Sequence, residues 1–129
     1  MSRSILDETR IHPAIREIIA NHHADFVREV QAAVDASDVV VVGMAQNPFP
    51  KKARKALAAA GVPCTYIEHG SYFRGWRERN ALKMWTGWPT FPMVFVKGVL
   101  VGGATDLGKL IASGELQRML AGEAPSTSW

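Results

Sequence analysis

Residues 88–103 have the sequence WPTFPMVFVKGVLVGG, and their pattern predicts a β-hairpin. Residues 93–96 are apolar and rich in β-branched and aromatic side chains, which is typical of a buried strand. Lys97 and Gly98 form a two-residue turn signal, and residues 99–101 return as a second strand. A proline comes just before the first strand, where its missing N–H is tolerated. The two glycines that end the segment allow a close approach of the backbone before the next helix.

The residues upstream alternate between strand and helix patterns. Four consecutive valines at 39–42 predict a central strand that is covered on both faces. Further elements are predicted as a helix at 50–60, a strand at 64–67, a helix at 76–85 and a last helix from Asp106 that is broken at Gly114. A strand, a helix and a strand imply a right-handed parallel unit, and the hairpin adds an antiparallel pair. The predicted class is therefore α/β, with a four-stranded mixed sheet and helices on both faces.

The motif Trp-Pro-Thr-Phe-Pro at 88–92, followed by the hairpin and Gly-Gly, resembles the C-terminal half of a glutaredoxin, most closely the monothiol branch. The resemblance covers residues 25–120 and implies a thioredoxin-like fold. Helical patterns also precede this region, so one extra N-terminal helix is expected. We predict a helical arm at 1–22, a glutaredoxin-like domain at 23–121 and a flexible tail at 122–129.

The composition limits the classes of protein. The chain has 129 residues, 47% of them apolar, which is enough for the core of one domain. The longest apolar run is too short to span a bilayer, and the first residues lack the apolar core of a signal peptide. A net charge of +3 permits an anionic ligand or partner without requiring nucleic acid. A cytoplasmic protein that does not bind membranes is expected.

The loop before the predicted helix at 50–60 is where glutaredoxins carry their reactive thiol. The resemblance places Asn47 at the nucleophilic cysteine, Phe49 at the aromatic position and Pro50 at the second cysteine or the serine. Met44 stands where the family has a lysine that binds glutathione. Without a thiol at this helix start, the family's thiol–disulfide exchange is not expected. A thiolate ligand for a shared iron–sulfur cluster is also missing, so no cluster is expected.

Asn47 has two interpretations. It is a good helix N-cap, because its side chain can accept a hydrogen bond from a first-turn N–H. Its amide could also contact a thiol or an anion of a ligand. From the sequence both interpretations stay open.

The other features of a glutathione site are partly kept. The resemblance implies a cis peptide bond before Pro92, and Phe91 before it offers its backbone N–H and C=O to the cysteinyl part of glutathione. Arg79 matches an arginine that pairs with a glutathione carboxylate, a role that suits a guanidinium group. The alternative is that Arg79 lies on a solvated helix face and that Thr105 and Asp106 only cap the last helix. The candidate glutathione-binding residues are Asn47, Phe49, Arg79, Thr90, Phe91, Pro92, Gly103, Thr105 and Asp106.

Two clusters of basic and aromatic residues are candidates for an interaction surface. One is a run of cations at the start of the helix at 50–60, where cations oppose the helix dipole. The other interleaves aromatic residues with arginines, a composition that is typical of protein interfaces and less often of nucleic-acid surfaces. A solvated face and plain core packing are the alternatives. The candidate surface comprises Lys51, Lys52, Tyr72, Phe73, Arg74 and Trp76.

The remaining reactive side chains indicate structural roles. Cys64 is the only cysteine, and a single cysteine on a predicted strand is more often a small buried residue than a nucleophile. His22 and His23 are adjacent, so on a helix their side chains point about 100° apart and are poor partners for one metal ion. No metal site is predicted.

Three functions follow from these observations. The first is a glutaredoxin-like module without oxidoreductase activity that binds glutathione, a related thiol or a protein partner. The second is an enzyme of the transferase or oxidoreductase type, in which bound glutathione supplies the thiol and Asn47 with the helix start stabilises it. The third is a self-associating structural subunit whose N-terminal helix completes a homodimer or a larger complex. The sequence favours the first and leaves open whether its ligand is glutathione, a related thiol or a protein partner.

Overall fold

The computed structural model describes residues 3–45, 47–70 and 75–122. Within them a 3₁₀ helix, Glu8–Arg10, precedes α1, and the helices and strands follow in the predicted order. They are α1 (Pro13–Asn21), α2 (Ala24–Ala36), β1 (Val39–Gly43), α3 (Pro48–Ala59), β2 (Thr65–Glu68), α4 (Trp76–Thr86), β3 (Met93–Val96), β4 (Val99–Gly102), α5 (Ala104–Ala112) and α6 (Glu115–Leu120).

The four strands form one mixed sheet in the order β2-β1-β3-β4. β1 runs parallel to β2, with Val41 opposite Tyr66, and antiparallel to β3. β3 and β4 form the predicted hairpin, in which Lys97 and Gly98 have φ angles of 50° and 79°. Positive φ at both central residues is the geometry that matches the twist of paired strands. The predicted fold class is confirmed.

The sheet separates two hydrophobic cores, and β1 contributes to both. Val39 and Val41 pack with α3, α5 and α6, whereas Val40 and Val42 pack with α2 and α4. Alternate side chains of a strand point to opposite faces, so a strand between two helical layers must be apolar throughout. All four valines are at most 2% exposed. The valine run therefore marks the centre of the molecule.

Some predicted element boundaries are wrong by one or two residues. α3 begins at Pro48 and not at residue 50, because a proline at the first helical position has no N–H that needs a partner. β2 begins at Thr65, which leaves Cys64 just before the strand. α5 begins at Ala104, since Gly103 serves as its N-cap.

The N-terminal segment packs differently from the rest of the chain. α1 has no buried residue, whereas α2 buries Val30 and Val34 under the sheet. His23, with a φ of 46°, lies at the junction between the two helices. The domain boundaries remain a prediction, and the predicted tail lies outside the described residues apart from Gly122. No helix among the described residues is long and apolar enough to cross a membrane.

Candidate functional site

A cavity of about 770 Å³ opens between the start of α3, one face of α4, the loop before β3 and the start of α5. We call it the groove. The peptide bond between Phe91 and Pro92, at its wall, is cis as the resemblance implied. All nine candidate glutathione-binding residues line the groove, which are Asn47, Phe49, Arg79, Thr90, Phe91, Pro92, Gly103, Thr105 and Asp106. The fold thus brings together residues that lie up to 59 positions apart in the sequence.

Asn47 joins two walls of the groove. Its Oδ1 accepts a hydrogen bond from the Phe49 N–H at 3.0 Å, so it is the N-cap of α3. Its Nδ2 donates to the backbone carbonyl of Phe91 at 3.3 Å. The side chain therefore caps α3 and also donates a hydrogen bond to the backbone carbonyl of Phe91, the residue before the cis-proline.

The start of α3 offers few hydrogen-bond donors to a ligand. A helix start normally presents several unpaired backbone N–H groups and so attracts anions. Here Pro48 and Pro50, the first and third helical residues, have no N–H, and the Phe49 N–H is taken by Asn47. Within the first three helical residues, the helix dipole is what remains to act on a ligand.

Arg79 supplies a buried cation to the groove. It is only 7% exposed, so the alternative of a solvated helix face is wrong for this residue. Its Nη1 donates to the backbone carbonyl of His69 at 3.3 Å, which ties α4 to the residue that directly follows β2. This hydrogen bond holds the guanidinium in a fixed orientation at the groove.

Lys83 is a groove residue that the sequence reasoning missed. It lies one turn after Arg79 on α4, lines the groove, and has its Nζ 5.8 Å from the centre of the Phe91 ring. The signal was available, because residues four apart on a helix share a face. Lys83 gives the groove a second cation, whereas Met44, at the position of the family's lysine, supplies none.

The start of α5 forms the opposite end of the groove. The Asp106 Oδ2 accepts a hydrogen bond from the Gly103 N–H at 3.0 Å, so this carboxylate caps its own helix, as the N-capping alternative supposed. Gly102 has a φ of 110°, and a Cβ there would lie 2.5 Å from the Asp106 Oδ2. The backbone N–H groups of Ala104 and Thr105 have no intrahelical partner, as at any helix start, and both residues line the groove.

Trp88 is a second residue that the sequence reasoning did not assign to the site. Its ring lines the groove, and its Nε1 is buried with no hydrogen-bond partner among the described residues. The Nε1 lies 4.0 Å from where a Cβ on Gly103 would be. A Cβ at position 103 would therefore be in ordinary van der Waals contact with the indole.

The residues of the predicted interaction surface do not form one patch where they are described. Lys52 lies over the Phe49 ring at 5.2 Å, beside the groove, while Lys51 lines a different cleft on α3. Trp76, 53% exposed, stacks with its neighbour Arg77 at 5.1 Å. Tyr72, Phe73 and Arg74 lie outside the described residues.

Cys64 and the histidines lie away from the groove. Burial raises the pKa of the Cys64 thiol, with the nearby Arg54 acting in the opposite direction. A thiol with a raised pKa is mostly protonated at neutral pH and is a poor nucleophile, in line with the structural role predicted for it. Among the described residues no group of three or more histidine, cysteine or acidic side chains could hold a metal ion.

Comparison with known proteins agrees with the fold. The glutaredoxin family model matches residues 39–101. A glutaredoxin-like protein of Dictyostelium discoideum is 46% identical over 102 residues, which cover 79% of this chain and 83% of that protein. A probable monothiol glutaredoxin of Legionella pneumophila is 34% identical over 77 residues, 60% of this chain and 83% of that protein.

A solved structure indicates the same fold. The structure of a buckwheat glutaredoxin–glutathione complex matches this chain with a TM-score of 0.68 at 22% identity, covering 79% of this chain and 93% of that one. The fold is therefore the thioredoxin-like fold of glutaredoxins. The chain belongs to the glutaredoxin family.

Proposed function

We propose that this protein is a glutaredoxin-family module that binds glutathione, or a closely related thiol peptide, without performing thiol–disulfide exchange. The observation that carries the proposal is the position of Asn47. It caps α3 and contacts the Phe91 carbonyl inside a groove lined by all nine candidate residues, in a chain whose only cysteine lies elsewhere. The groove supports binding, and the missing thiol removes the nucleophile that exchange requires.

The charges in the groove suit a ligand of the glutathione type. Glutathione carries a carboxylate at each end and an amine beside one of them. Arg79 and Lys83 on α4 provide cations for one carboxylate. The first-turn N–H groups of α5 provide donors for the other, and the Asp106 carboxylate lies beside them for the amine.

The binding proposal predicts that Arg79→Met weakens the affinity for reduced glutathione by at least about tenfold, since hydrogen bonds to charged groups contribute about 1.5–3 kcal/mol. Methionine keeps most of the apolar stem and removes the guanidinium. Isothermal titration calorimetry of the wild type and the variant with reduced glutathione measures the effect.

Arg77→Met is the matched control, because Arg77 is on the same helix but is exposed and stacked on Trp76. It should leave the affinity unchanged. Since Arg79 also holds the His69 carbonyl, thermal unfolding of each variant has to be recorded, and Arg79→Lys serves as a second variant that keeps the charge but loses the planar fork. If the wild type releases no heat with glutathione, or if both methionine variants bind equally, the binding proposal is wrong.

The structure counts against the enzyme alternative. In that alternative Asn47 and the start of α3 stabilise the thiolate of bound glutathione. The Asn47 amide is already engaged with Phe91, and the two prolines remove two of the donors that a thiolate would use. A binding role is therefore the better account of this helix start.

Self-association is favoured by one specific observation. α1 buries no residue, yet it carries Ile15, Ile18 and Ile19, which are 46%, 65% and 42% exposed. A nine-residue helix is marginal in water unless its apolar face packs against something. If the protein is a self-associating structural subunit, these isoleucines pack against a second copy of the chain.

If α1 mediates a homodimer, Ile18→Glu should convert the dimer to a monomer, because a charge in an apolar interface loses its hydration without gaining a partner. Sedimentation velocity of the wild type and the variant at matched concentrations measures the change. Glu17→Ile is an informative companion, because it adds apolar surface beside the stripe and should not favour the monomer. A wild type that is monomeric at all concentrations tested would exclude this role of α1.

A further inference from the structure

A second cleft, of about 630 Å³, lies on a different face of α3 from the groove and shares no lining residue with it. We call it the basic cleft. The helix contributes residues at positions i, i+3, i+4 and i+7, which form one face. The cleft is lined by Lys51, Arg54, Lys55 and Ala58 of α3, by Gly61, Val62 and Pro63 of the following loop, and by Cys64.

The positive charge of the protein is concentrated on this helix. α3 has the sequence PFPKKARKALAA, with four cations and no acidic residue. Without those four, the chain would have 11 basic side chains against 12 acidic ones, so the net charge of +3 comes from α3 alone. None of the four forms an ion pair with another described residue.

The helix dipole does not favour these cations. Lys51 and Lys52 lie in the first half of α3, where positive charge opposes the dipole at a cost of a few tenths of a kcal/mol per residue, and Arg54 and Lys55 lie near its middle, where the effect of the dipole is small. A cluster of cations without an ion-pair partner among the described residues indicates a role outside the helix. The absence of acidic neighbours on α3 leaves that role to an anionic partner.

The cleft combines fixed charge with an apolar floor. The Arg54 guanidinium lies 4.3 Å from the centre of the Tyr66 ring, and the Tyr66 hydroxyl donates to the Glu68 Oε1 at 3.1 Å, so this arginine is held in place. Val62, which is 8% exposed, contributes apolar surface between the charges, together with Ala58 and Pro63. The cleft therefore suits a ligand that alternates acidic and small apolar groups.

The strand beside the cleft has a free edge. β2 is the outermost strand and pairs only with β1, and no other described strand lies along its second edge. Cys64, in the cleft, immediately precedes β2, so a chain lying in the cleft continues toward that edge. An exposed edge strand can form main-chain hydrogen bonds with an extended peptide.

We propose that the basic cleft docks an extended acidic segment of another protein. Carboxylates of the segment pair with Lys51, Arg54 and Lys55, and a small apolar side chain lies against the loop at 61–63. Single-stranded nucleic acid is the weaker candidate, because it needs exposed aromatic rings for base stacking, and the nearby Tyr66 ring is covered by Arg54. This docking does not depend on glutathione binding in the groove.

The test uses a short fluorescein-labelled peptide of alternating glutamate and valine, with fluorescence anisotropy as the readout. We expect saturable binding that weakens with added salt, and Lys51→Glu/Lys55→Glu should weaken it by at least about tenfold, since it replaces two attractive contacts by repulsive ones. Arg10→Glu/Lys109→Glu makes the same charge change at two exposed positions outside both cavities and should change the affinity little.

Cys64 provides an independent readout without any substitution, because it is the only cysteine and lines the cleft. The bound peptide should slow alkylation of Cys64 by iodoacetamide, and reduced glutathione in the groove should not. Replacing two exposed cations of α3 should not unfold the protein, and Lys51→Gln/Lys55→Gln is the milder second variant. The proposal is overturned if charge reversal leaves binding unchanged, if the peptide does not protect Cys64, or if a lysine–valine peptide or single-stranded DNA binds as well.

Discussion

Asn47→Cys is expected to create a reactive thiol that exchanges with glutathione disulfide, an activity the wild type should lack. The introduced sulfur would lie at the N-cap of α3, where the Phe49 N–H now donates to the Asn47 Oδ1 at 3.0 Å. The positive end of the helix dipole and the cations that line the groove, Arg79 and Lys83, also favour a thiolate. We expect the pKa to fall from the free value of about 8.5 to about 7.

The two prolines limit this pKa shift. Because Pro48 and Pro50 have no N–H, a thiolate at position 47 would receive only one backbone hydrogen bond from the first three residues of α3. Asn47→Cys/Pro50→Ser restores a second donor and should lower the pKa further. The double variant therefore separates the effect of the helix dipole from the effect of specific donors.

The pKa is measured from the pH dependence of alkylation. Cys64→Ser is the background, although the raised pKa of Cys64 also separates the two thiols by pH. A hydroxyethyl disulfide assay then tests exchange with glutathione. A thiol that titrates near 8.5 would show that the start of α3 does not activate it. A thiol with a low pKa but no turnover in the assay would show that the groove does not bind glutathione productively.

Leu57→Ala is expected to destabilise the protein by about 2–5 kcal/mol, the range for a leucine removed from a well-packed core. Leu57 is 0% exposed and, with Ala53, joins α3 to the core that α5 and α6 share. Its loss would leave a cavity under the helix whose first residues carry Asn47 and Phe49. Such a loss is a large fraction of the stability of an ordinary domain.

Urea unfolding with a linear extrapolation measures the change in the free energy of unfolding. Leu6→Ala is the matched control, because Leu6 is 56% exposed and the chemical change is the same. It should cost less than about 0.5 kcal/mol. Equal small costs for the two variants would mean that α3 is not anchored through Leu57.

The hairpin and the valine strand were predictable because their signals are local. Val39 to Val42 are apolar in succession, and Lys97 with Gly98 occupies a turn that only a few residue types favour. The start of α3 was harder to place, because two prolines suggest a loop. A proline is nevertheless accepted in the first turn, where its missing N–H costs nothing.

The groove was predicted through resemblance, and the contacts inside it were not. Lys83 could have been predicted from Arg79 by helix periodicity. The burial of Arg79 and the hydrogen bond from Asn47 to the Phe91 carbonyl could not have been predicted in this way. Asn47 and Phe91 are 44 residues apart, and no pattern along the chain specifies which carbonyl an amide will reach. The basic run on α3 was visible, but which of its cations line the basic cleft depends on the rotation of the helix against the sheet.

The sequence by itself determined the order of the elements, the mixed sheet and the absence of a cysteine at position 47, because each follows from residue type and local spacing. Only the tertiary structure decided that the Asn47 amide contacts the cis-proline segment, that Arg79 is buried and that Lys51 and Lys52 belong to different surfaces. These outcomes depend on how α3 and α4 pack on the two faces of the sheet. That packing is set by contacts between residues that are distant along the chain.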